Sequence, residues 1–330
     1  MPAEHATAAA RTSAGGGITS KPWWPKAKRA ATVIFLSLVA WLLVEQAREI
    51  EWSKVIDSLR DYRAGPLLIA GALAVASYAV YCSYDLIGRH QTGHSLRTGQ
   101  VVGVSFVSYA FNLNMGALVG GVGMRYKLYL RLGLDAAVIT EVLGLSMLTN
   151  WLGYMLLAGG VFLIRPLELP AEWIIGEVGL RVLGGVLVAL VTTYLVLCFR
   201  ATRRKWSLRG HEVTLPAGRL ALLQLGLSAL NWTLIATIVY VLLQQKIGFS
   251  AVLSVMLIAA VAGVIAHVPA GLGVLEAVFV TLLAQSASRT ELLAALLAYR
   301  AIYYLAPLAL AVVYYFFVGK LGREGDSAKG

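Results

Sequence analysis

Apolar residues in this sequence form long, uninterrupted runs, and polar or charged segments separate one run from the next. A helix needs about 20 apolar residues to cross a bilayer, and most of the runs approach or exceed that length. The strands of a membrane barrel would instead alternate apolar and polar residues. The pattern therefore predicts an all-α polytopic membrane protein. The runs are residues 30–44, 66–88, 101–118, 136–164, 179–199, 220–243, 251–268, 272–284 and 292–318.

The amino-acid composition excludes two other classes of protein. Hydrophobic residues make up 58% of the 330 residues and charged residues make up 14%, whereas a soluble domain has about 45–50% apolar and about 25% charged residues. A soluble enzyme with one buried core is therefore excluded, and so is a disordered chain, which needs low hydrophobicity and high charge. The net charge of +11 indicates basic cytoplasmic loops in a membrane protein, so we expect no nucleic-acid partner.

The two ends of the chain are predicted to be cytoplasmic tails around a single transmembrane domain. Residues 1–29 are rich in small residues and end in a basic cluster, which predicts a disordered tail. Residues 30–318 form the transmembrane domain, and residues 319–330 form a second, short tail. Within the domain, residues 49–63 carry apolar side chains at helical spacing opposite charged ones, which predicts an amphipathic helix at the outer membrane surface.

The charged segments between the runs decide which runs cross the membrane, because basic residues concentrate on the cytoplasmic side. If the chain starts inside and every run crosses, Arg125, Lys127 and Arg131 lie outside, against this rule. The conflict disappears if 101–118 and 251–285 are re-entrant hairpins that enter and leave on one side. The segments placed inside then hold 19 Lys and Arg and those placed outside hold 8. This arrangement predicts about six full spans, two hairpins and cytoplasmic termini.

Helix-breaking residues mark the tip of each predicted hairpin. Broken backbone at membrane depth is tolerated where protein or a cavity surrounds it. Two sets of spans and hairpins then follow each other in opposite orientation, the first at 66–164 and the second at 220–318. Such inverted repeats with broken helices are typical of transporters, whose substrate sites lie where the repeats meet. The breaks are predicted at Asn112, Asn114, Gly120 and Gly121 in the first hairpin and at Pro269, Gly271 and Gly273 in the second.

Two charged residues, Glu276 and Arg300, lie in or beside apolar runs near the second break. An unpaired charge at the bilayer centre costs at least about 2.5–3.5 kcal/mol, so such a residue faces a partner or a water-filled cavity. One interpretation pairs Glu276 with Arg300 as a structural ion pair. In the other, Arg300 binds a lipid phosphate through its guanidinium fork, and Glu276 is a releasable counter-ion.

The segment after the first hairpin combines a glycine-rich backbone with bases and tyrosines. Its candidate headgroup contacts are Arg125, Tyr126, Lys127 and Arg131. This combination is suited to an anionic lipid headgroup at the inner leaflet. An ordinary positive-inside loop would carry the same charge, so the residues alone leave both interpretations open.

Four further polar residues are expected to support the site at membrane depth. Asp85 and Glu141 lie near the inner ends of their helices, as interface residues or as ion-pair partners of a nearby arginine such as Arg125. Asn150 lies in the middle of a span and is expected to form an interhelical hydrogen bond. His267, beside the second break, is expected to bond the backbone groups that the break frees.

No metal, cofactor or catalytic residue is expected. His90 and His94 are four residues apart, but no carboxylate completes a metal site with them. The two cysteines, Cys82 and Cys198, lie in apolar runs and have neither zinc spacing nor a disulfide framework. The spacing of the remaining residues assembles no Ser-His-Asp set and no pair of carboxylates.

Three motifs occur together, namely GGVGMRYKLY at 120–129 with RLG at 131–133, TNWLGY at 149–154 and HVPAGLGVLEAVF at 267–279. They resemble the lysylphosphatidylglycerol synthase transmembrane domain family, which forms the flippase half of the multiple peptide resistance factor. The resemblance covers roughly residues 30–318. It implies a stand-alone bacterial member of this family that crosses the inner membrane several times.

The resemblance implies movement of a phospholipid between leaflets. In the bifunctional members, the lipid is aminoacylated phosphatidylglycerol, which a soluble C-terminal domain makes. This sequence ends at Gly330, soon after the last apolar run. We therefore expect no enzyme activity and, as cargo, an unmodified anionic lipid such as phosphatidylglycerol or cardiolipin. By similarity, the candidate headgroup contacts are Arg125, Tyr126, Glu276 and Arg300.

Two other functions are compatible with these residues. One is an accessory subunit that recruits a lipid-synthesising enzyme or an envelope partner without transporting lipid. The other is an integral-membrane transferase on a lipid-linked substrate, for which Glu276 and His267 are the candidate pair. The expected partners are anionic phospholipids and the bilayer, with a second copy of the chain or a lipid-synthesising enzyme as further candidates.

Overall fold

The computed structural model describes most of the predicted transmembrane domain. The side chains at 205–214 and 317–327 are not described. The predicted tail at 1–29, the first predicted span at 30–44 and most of the amphipathic helix at 49–63 lie outside the described residues. The described residues are Ser53, Asp57, Tyr62, 64–165, 176–201, 205–208, 211–266 and 271–327.

Almost all described residues are helical, as the apolar runs predict. Two π-helical segments, Ala117–Gly123 and Arg300–Leu305, precede α3 and α10. An antiparallel pair of short strands, which the apolar pattern does not predict, links α5 to α6 as β1 (Lys205–Leu208) and β2 (His211–Thr214). The α-helices are α1 (Ala64–Thr92), α2 (Thr98–Met115), α3 (Met124–Arg131), α4 (Ala136–Ile164), α5 (Glu177–Arg200), α6 (Gly218–Leu242), α7 (Phe249–Ala266), α8 (Val274–Leu283), α9 (Arg289–Tyr299) and α10 (Ala306–Ser327).

Within the described residues, six helices are long and apolar enough to cross a membrane. Five of them coincide with predicted spans, and α9 with α10 forms the last of these through the second π-helical segment. The sixth is α7, which the sequence assigned to one arm of the second hairpin. With 18 residues, that arm is itself of spanning length. The predicted all-α polytopic membrane class is thus confirmed, with the small strand pair as an exception.

The chain reverses direction in the region of the first predicted hairpin, but it does so at Gly116. The predicted breaks at Asn112 and Asn114 lie instead within the continuous helix α2. Gly116 has a φ of +83°, a left-handed conformation that glycine adopts without strain. The π-helical segment then packs back along α2. A Cβ atom on Gly120 would lie 2.2 Å from the Phe111 carbonyl carbon, and one on Gly121 would lie 2.8 Å from Asn112 Oδ1. The two glycines predicted as breaks therefore lie in the returning arm, where they permit close backbone contact.

The second hairpin consists of α7 and α8, which pack against each other. Residues 267–270, with the predicted break at Pro269, lie outside the described residues. The described part of the break contains Gly271 with a φ of +57° and Gly273 with a φ of +75°. A Cβ atom on Gly263 of α7 would lie 4.0 Å from Gly271 Cα. The chain therefore returns directly onto the helix that it has just left.

Two antiparallel helices, α1 and α6, pack closely along the middle of the bundle. Near one end, Tyr62 Oη donates a hydrogen bond to the Leu242 carbonyl at 2.8 Å. Further along, Ser77 Oγ donates to Asn231 Oδ1 at 2.7 Å, and both residues are fully buried. Between helices in lipid, close packing and interhelical hydrogen bonds take the place of the hydrophobic effect. These bonds therefore define how α1 lies against α6.

The TNWLGY motif forms the contact between α4 and α6. Ser228 Oγ accepts a hydrogen bond from the Gly153 N–H at 3.1 Å and donates one to the Asn150 carbonyl at 2.9 Å. Trp232 Nε1 donates to the same carbonyl at 3.1 Å. The interhelical bond predicted for Asn150 is therefore made by its backbone oxygen.

We expect Gly153→Ala to lower the free energy of unfolding by about 1–3 kcal/mol, the usual cost of overpacking a tight contact. A Cβ atom there would lie 2.3 Å from the backbone and hydroxyl of Ser228, so α4 and α6 would have to separate. Thermal unfolding of the purified protein in detergent measures the change. Gly144→Ala, in the same helix with no atom within 4 Å of its Cβ position, is the matched control. Equal loss in both variants would show that the contact at Gly153 is not tight.

At each end of the bundle, polar contacts join the end of one helix to the start of another. Arg89 Nη1 donates to Thr98 Oγ1 at 2.7 Å, which holds the end of α1 to the start of α2, and α3 contacts the same end of α1. At the opposite end, Lys246 Nζ lies 2.6 Å from Glu291 Oε1 and holds the end of α6 to the start of α9. The first hairpin thus enters and leaves at one end of the bundle. The inverted repeat and the cytoplasmic position of the termini stay predictions.

Candidate lipid-headgroup site

The first candidate cluster is an ion pair between α1 and α3. Arg125 Nε lies 3.0 Å from Asp85 Oδ2, and Arg125 Nη2 lies 3.2 Å from Asp85 Oδ1. The two planar groups therefore meet fork to fork, the strongest arrangement for this pair. Tyr129 Oη also donates to Asp85 Oδ2, at 2.9 Å. Because the side chains are 3% and 0% exposed, this pair is closed to a ligand from outside.

Arg125 holds three helices together at the base of the first hairpin. Besides Asp85, its Nη2 atom lies 3.5 Å from both Tyr81 Oη on α1 and Ser146 Oγ on α4. The sequence allowed Arg125 to be either a headgroup contact or the partner of Asp85. The structure shows it paired with Asp85 and buried, which favours the second of these roles.

The second candidate cluster is an ion pair at the second break. Arg300 Nε lies 2.5 Å from Glu276 Oε1, and Arg300 Nη2 lies 3.0 Å from Glu276 Oε2. Nη2 also donates to the Gly271 carbonyl at 3.1 Å, and the guanidinium carbon lies 5.4 Å from the centroid of the Tyr304 ring. The side chain of Glu276 is 18% exposed and that of Arg300 is 8% exposed. This pair, unlike the first, has an edge within reach of a ligand.

The π-helical segment that starts at Arg300 is held by the first half of the chain. Pro307 has no N–H group to donate to the carbonyl of Tyr303, four residues earlier. Tyr78 Oη of α1 donates to that carbonyl at 3.2 Å, and Asn114 Nδ2 of α2 donates to the next carbonyl along the segment, also at 3.2 Å. π-Helical turns frequently occur at functional sites. The tip of the first hairpin thus supports the backbone that carries Arg300.

A chain of buried aromatic side chains connects the two clusters. Tyr81, beside the first ion pair, stacks on Tyr109 with ring centroids 3.5 Å apart. Tyr109 Oη lies 3.0 Å from Tyr303 Oη, which in turn lies 2.7 Å from Ser77 Oγ. Tyr303 belongs to the same π-helical segment as Arg300. The two ion pairs are therefore linked through one continuous polar and aromatic path.

These tyrosines were not predicted as site residues, although the sequence contains a signal for them. Tyr78, Tyr81 and Tyr84 recur every three residues inside the apolar run of α1, and Tyr303 and Tyr304 interrupt the run of the last span. A buried hydroxyl group needs a hydrogen-bond partner. Tyrosines repeated on one helix face within a span therefore indicate a polar interface between helices.

Two basic residues, one of them with a buried ammonium group, lie at the end of the bundle where α3 meets α10. Lys127 Nζ and the guanidinium carbon of Arg131 lie 5.5 Å and 5.7 Å from the centroid of the Tyr315 ring. We call these three residues the cationic surface. Arg131 is exposed, whereas Lys127 is half-buried and its Nζ atom is covered. Tyr126 Oη, 2.5 Å from Thr140 Oγ1, holds α3 to α4 beside it.

His94 is a titratable residue near Tyr129, at the end of the bundle that holds the first ion pair. The residue lies in the loop between α1 and α2, with its ring centroid 6.4 Å from that of Tyr129. Burial, followed by the positive charge of Arg89, lowers the pKa of His94 from its ordinary value of 6.5. The imidazole of His94 is therefore neutral at neutral pH.

The remaining predicted support residues contribute less to these clusters. Glu141 is half-buried in α4, next to the Thr140 contact. His267 lies outside the described residues, and so does its predicted pairing with Glu276. Among the residues that the structure does describe, no three His, Cys, Asp or Glu side chains are grouped so that they could hold a metal ion.

Comparison with known proteins gives matches over nearly the whole described region. Residues 29–311 match the family described as lysylphosphatidylglycerol synthase TM region. The chain is 45% identical over 306 residues to the inner membrane protein YbhN of Escherichia coli strain K12, which covers 92% of this chain and 96% of that protein. It is 33% identical over 263 residues to an uncharacterised protein of Synechocystis, with 79% and 81% of the two chains covered.

A more distant match is to part of a longer protein. The chain is 28% identical over 273 residues to the phosphatidylglycerol lysyltransferase of Bacillus subtilis strain 168. That match covers 79% of this chain but 30% of the lysyltransferase. The similarity therefore concerns one region of the lysyltransferase.

These matches agree with the architecture. Six helices of spanning length make the chain a multi-pass membrane protein, and a relative named as an inner membrane protein agrees with the predicted compartment. The matched range contains both ion pairs and the three motifs that carried the resemblance. The chain belongs to the lysylphosphatidylglycerol synthase transmembrane region family.

Proposed function

We propose that this protein moves an anionic phospholipid between the leaflets of the inner membrane. The observation that carries the proposal is the Glu276–Arg300 pair, which lies beside a helix break within apolar helices and is 18% exposed at Glu276. Charged residues at membrane depth are costly and often mark the path of a substrate. The proposed cargo is phosphatidylglycerol, cardiolipin or a derivative of either.

Arg300 is the proposed contact for the lipid phosphate. A guanidinium group offers two parallel donors to a phosphate as well as to a carboxylate. Glu276 now occupies those donors, at 2.5 and 3.0 Å. An arriving phosphate competes with Glu276, while the Gly271 carbonyl keeps Nη2 in position. Glu276 is then the counter-ion that returns to Arg300 when the lipid leaves.

The two hairpin tips provide apolar surface for the acyl chains. Leu118, just after the first reversal, is 82% exposed, and Ile265, just before the second break, is 70% exposed. In a bilayer, such side chains contact lipid tails. The headgroup would pass along the polar edge near Glu276 while its tails stay in the hydrocarbon region.

The cationic surface is the proposed arrival site at the inner leaflet. Each basic residue near a membrane surface adds about 1 kcal/mol of attraction for anionic lipid. Arg131, the exposed base of this surface, therefore favours phosphatidylglycerol and cardiolipin over a zwitterionic lipid. The lysyltransfer that the name of the Bacillus relative states is not part of this proposal.

A second candidate function is a membrane subunit that recruits a lipid-synthesising enzyme or an envelope partner. The observation that favours it is the full two-pronged pairing of Arg300 with Glu276, which a permanent structural ion pair would also form. In that case the protein moves no lipid. The transport assay below separates the two functions.

The test is leaflet exchange of fluorescent lipids in liposomes that contain the purified protein. We expect faster exchange of phosphatidylglycerol and cardiolipin than in protein-free liposomes, and little acceleration of phosphatidylethanolamine. Arg131→Gln should slow the exchange by about five-fold, since one surface charge worth about 1 kcal/mol is removed. Arg181→Gln, which removes a base from an exposed pair with Glu177, should leave the rate unchanged.

The result that overturns the proposal is the absence of accelerated exchange for every lipid, with and without a proton gradient. A cationic-surface variant with the wild-type rate would contradict only the arrival site. The accessory-subunit function would gain support from the first of these results.

A further inference from the structure

A groove on the outside of the bundle lies between α4 and the start of α7, away from both ion pairs. Its volume is about 240 Å³, and its walls include Leu157, Gly160, Val161 and Ile164. Tyr154 Oη donates to a backbone carbonyl of α7 at 3.1 Å, which keeps the two helices side by side below the groove. Apart from its mouth, the groove is apolar.

The mouth of the groove carries one cation and one hydroxyl group, Arg165 and Ser250. Arg165 is exposed, and within the described part of the chain its side chain pairs with no carboxylate. Two other cations near this end of the bundle are neutralised, because Arg181 pairs with Glu177 and Lys246 pairs with Glu291. Arg165 thus offers an open guanidinium fork at the entrance to an apolar groove.

The length of the groove matches one leaflet. From Leu157 to Arg165, the helix rises about 12 Å at about 1.5 Å per residue. Half of the hydrocarbon core of a bilayer is about 15 Å thick. The cation at the mouth of the groove is complementary to a lipid phosphate, and the apolar walls below it are complementary to an acyl chain. The groove therefore fits a single phospholipid.

We propose that this groove binds one anionic phospholipid, with an acyl chain along Gly160 and the phosphate on Arg165. Ser250 donates a hydrogen bond to the same phosphate. The lipid belongs to the leaflet at the C-terminal end of α4, which the charge pattern predicts to be the outer one. This binding does not depend on the proposed transport, since the groove contains neither Glu276 nor Arg300.

The groove can be filled without disturbing the helix. A Cβ atom on Gly160 would meet no atom within 4 Å, and the same holds for Gly144 on the same helix outside the groove. Gly160→Leu therefore blocks the groove, and Gly144→Leu is its matched control. Arg165→Gln removes the cation, with Arg181→Gln as the matched control.

The experiment is native mass spectrometry of the full chain in detergent, titrated with phosphatidylglycerol or phosphatidylethanolamine, together with the rise in Tm on adding each lipid. We expect wild type to retain phosphatidylglycerol preferentially. Arg165→Gln should lose about five-fold in affinity for it, as expected for one basic residue at the membrane surface. Gly160→Leu should reduce retention of both lipids, and the two control variants should behave like wild type.

Two outcomes would overturn the proposal. One is the same phosphatidylglycerol retention and Tm shift in Gly160→Leu as in Gly144→Leu. The other is a lower Tm of Gly160→Leu without lipid, with an unchanged shift on adding lipid, because the groove then holds another segment of this chain. This experiment measures lipid binding and not leaflet exchange, so failure of the groove proposal and failure of the transport proposal are distinguishable.

Discussion

Asp85→Asn is expected to lower the free energy of unfolding by about 3–5 kcal/mol, because it leaves the guanidinium of Arg125 buried without its counter-charge. Arg125 is 3% exposed, so water cannot take the place of the lost carboxylate. Tyr129 Oη also loses its charged acceptor, 2.9 Å away. Thermal unfolding of the purified protein in detergent measures the effect, and a lower yield of folded protein is expected alongside it.

Two further variants make this result specific. Glu177→Gln breaks an ion pair whose side chains are 56% and 59% exposed, and such pairs contribute about 0–1 kcal/mol. Asp85→Asn combined with Arg125→Gln removes both buried charges and should recover part of the stability that the single variant loses. If Asp85→Asn unfolds at the wild-type temperature, the buried ion pair is not what stabilises the base of the first hairpin.

Arg300→Lys is expected to slow leaflet exchange of phosphatidylglycerol by about ten-fold to about a hundred-fold while the protein stays folded. Lysine keeps the positive charge beside Glu276 but replaces the planar fork by a single ammonium group. One lost hydrogen bond to a charged group is worth about 1.5–3 kcal/mol, which corresponds to that range of rates. Exchange of fluorescent phosphatidylglycerol in liposomes at equal protein content gives the ratio.

Both partners of this pair should be needed for exchange. Arg300→Ala removes the phosphate contact, and Glu276→Gln removes the counter-ion that displaces the phosphate from Arg300. Arg181→Ala is the matched control, because it deletes an arginine from an exposed ion pair. If Arg300→Ala and Glu276→Gln exchange lipid at the wild-type rate and have the wild-type Tm, the pair is not the transport site. A fall in Tm that accounts for all of the lost activity would instead assign the pair a structural role.

The membrane class and most spans were predictable because they depend on local properties. A span is a run of apolar residues about as long as the bilayer is thick. The apolar character and the length of such a run do not depend on contacts with another part of the chain. The first hairpin was predictable from the positions of Arg125, Lys127 and Arg131. The rule that basic residues lie on the cytoplasmic side needs only their positions in the sequence. α7 was harder to assign, because an apolar helix of 18 residues suits both a span and one arm of a hairpin.

The candidate site was predictable in its members but not in its contacts. Charges within apolar runs are few, so Asp85, Glu276 and Arg300 stand out in the sequence, and the cost of burying them implies a partner. Which partner each residue has depends on how distant helices pack. The chain of tyrosines from Tyr81 to Tyr303 is still less visible, because a tyrosine hydroxyl changes the hydropathy of a span very little.

The sequence alone was enough to predict the membrane-spanning character of this protein, the position of most of its helices and the few charged residues inside them. The packing of the helices was needed to show that Asp85 buries and pairs Arg125, that Arg300 and Glu276 keep an exposed edge, and that the chain turns at Gly116. These two groups of features differ because the forces behind them act over different ranges. Burial of apolar runs in lipid acts on each segment separately, whereas ion pairs, hydrogen bonds and close helix contacts act over a few ångströms between segments far apart in the chain.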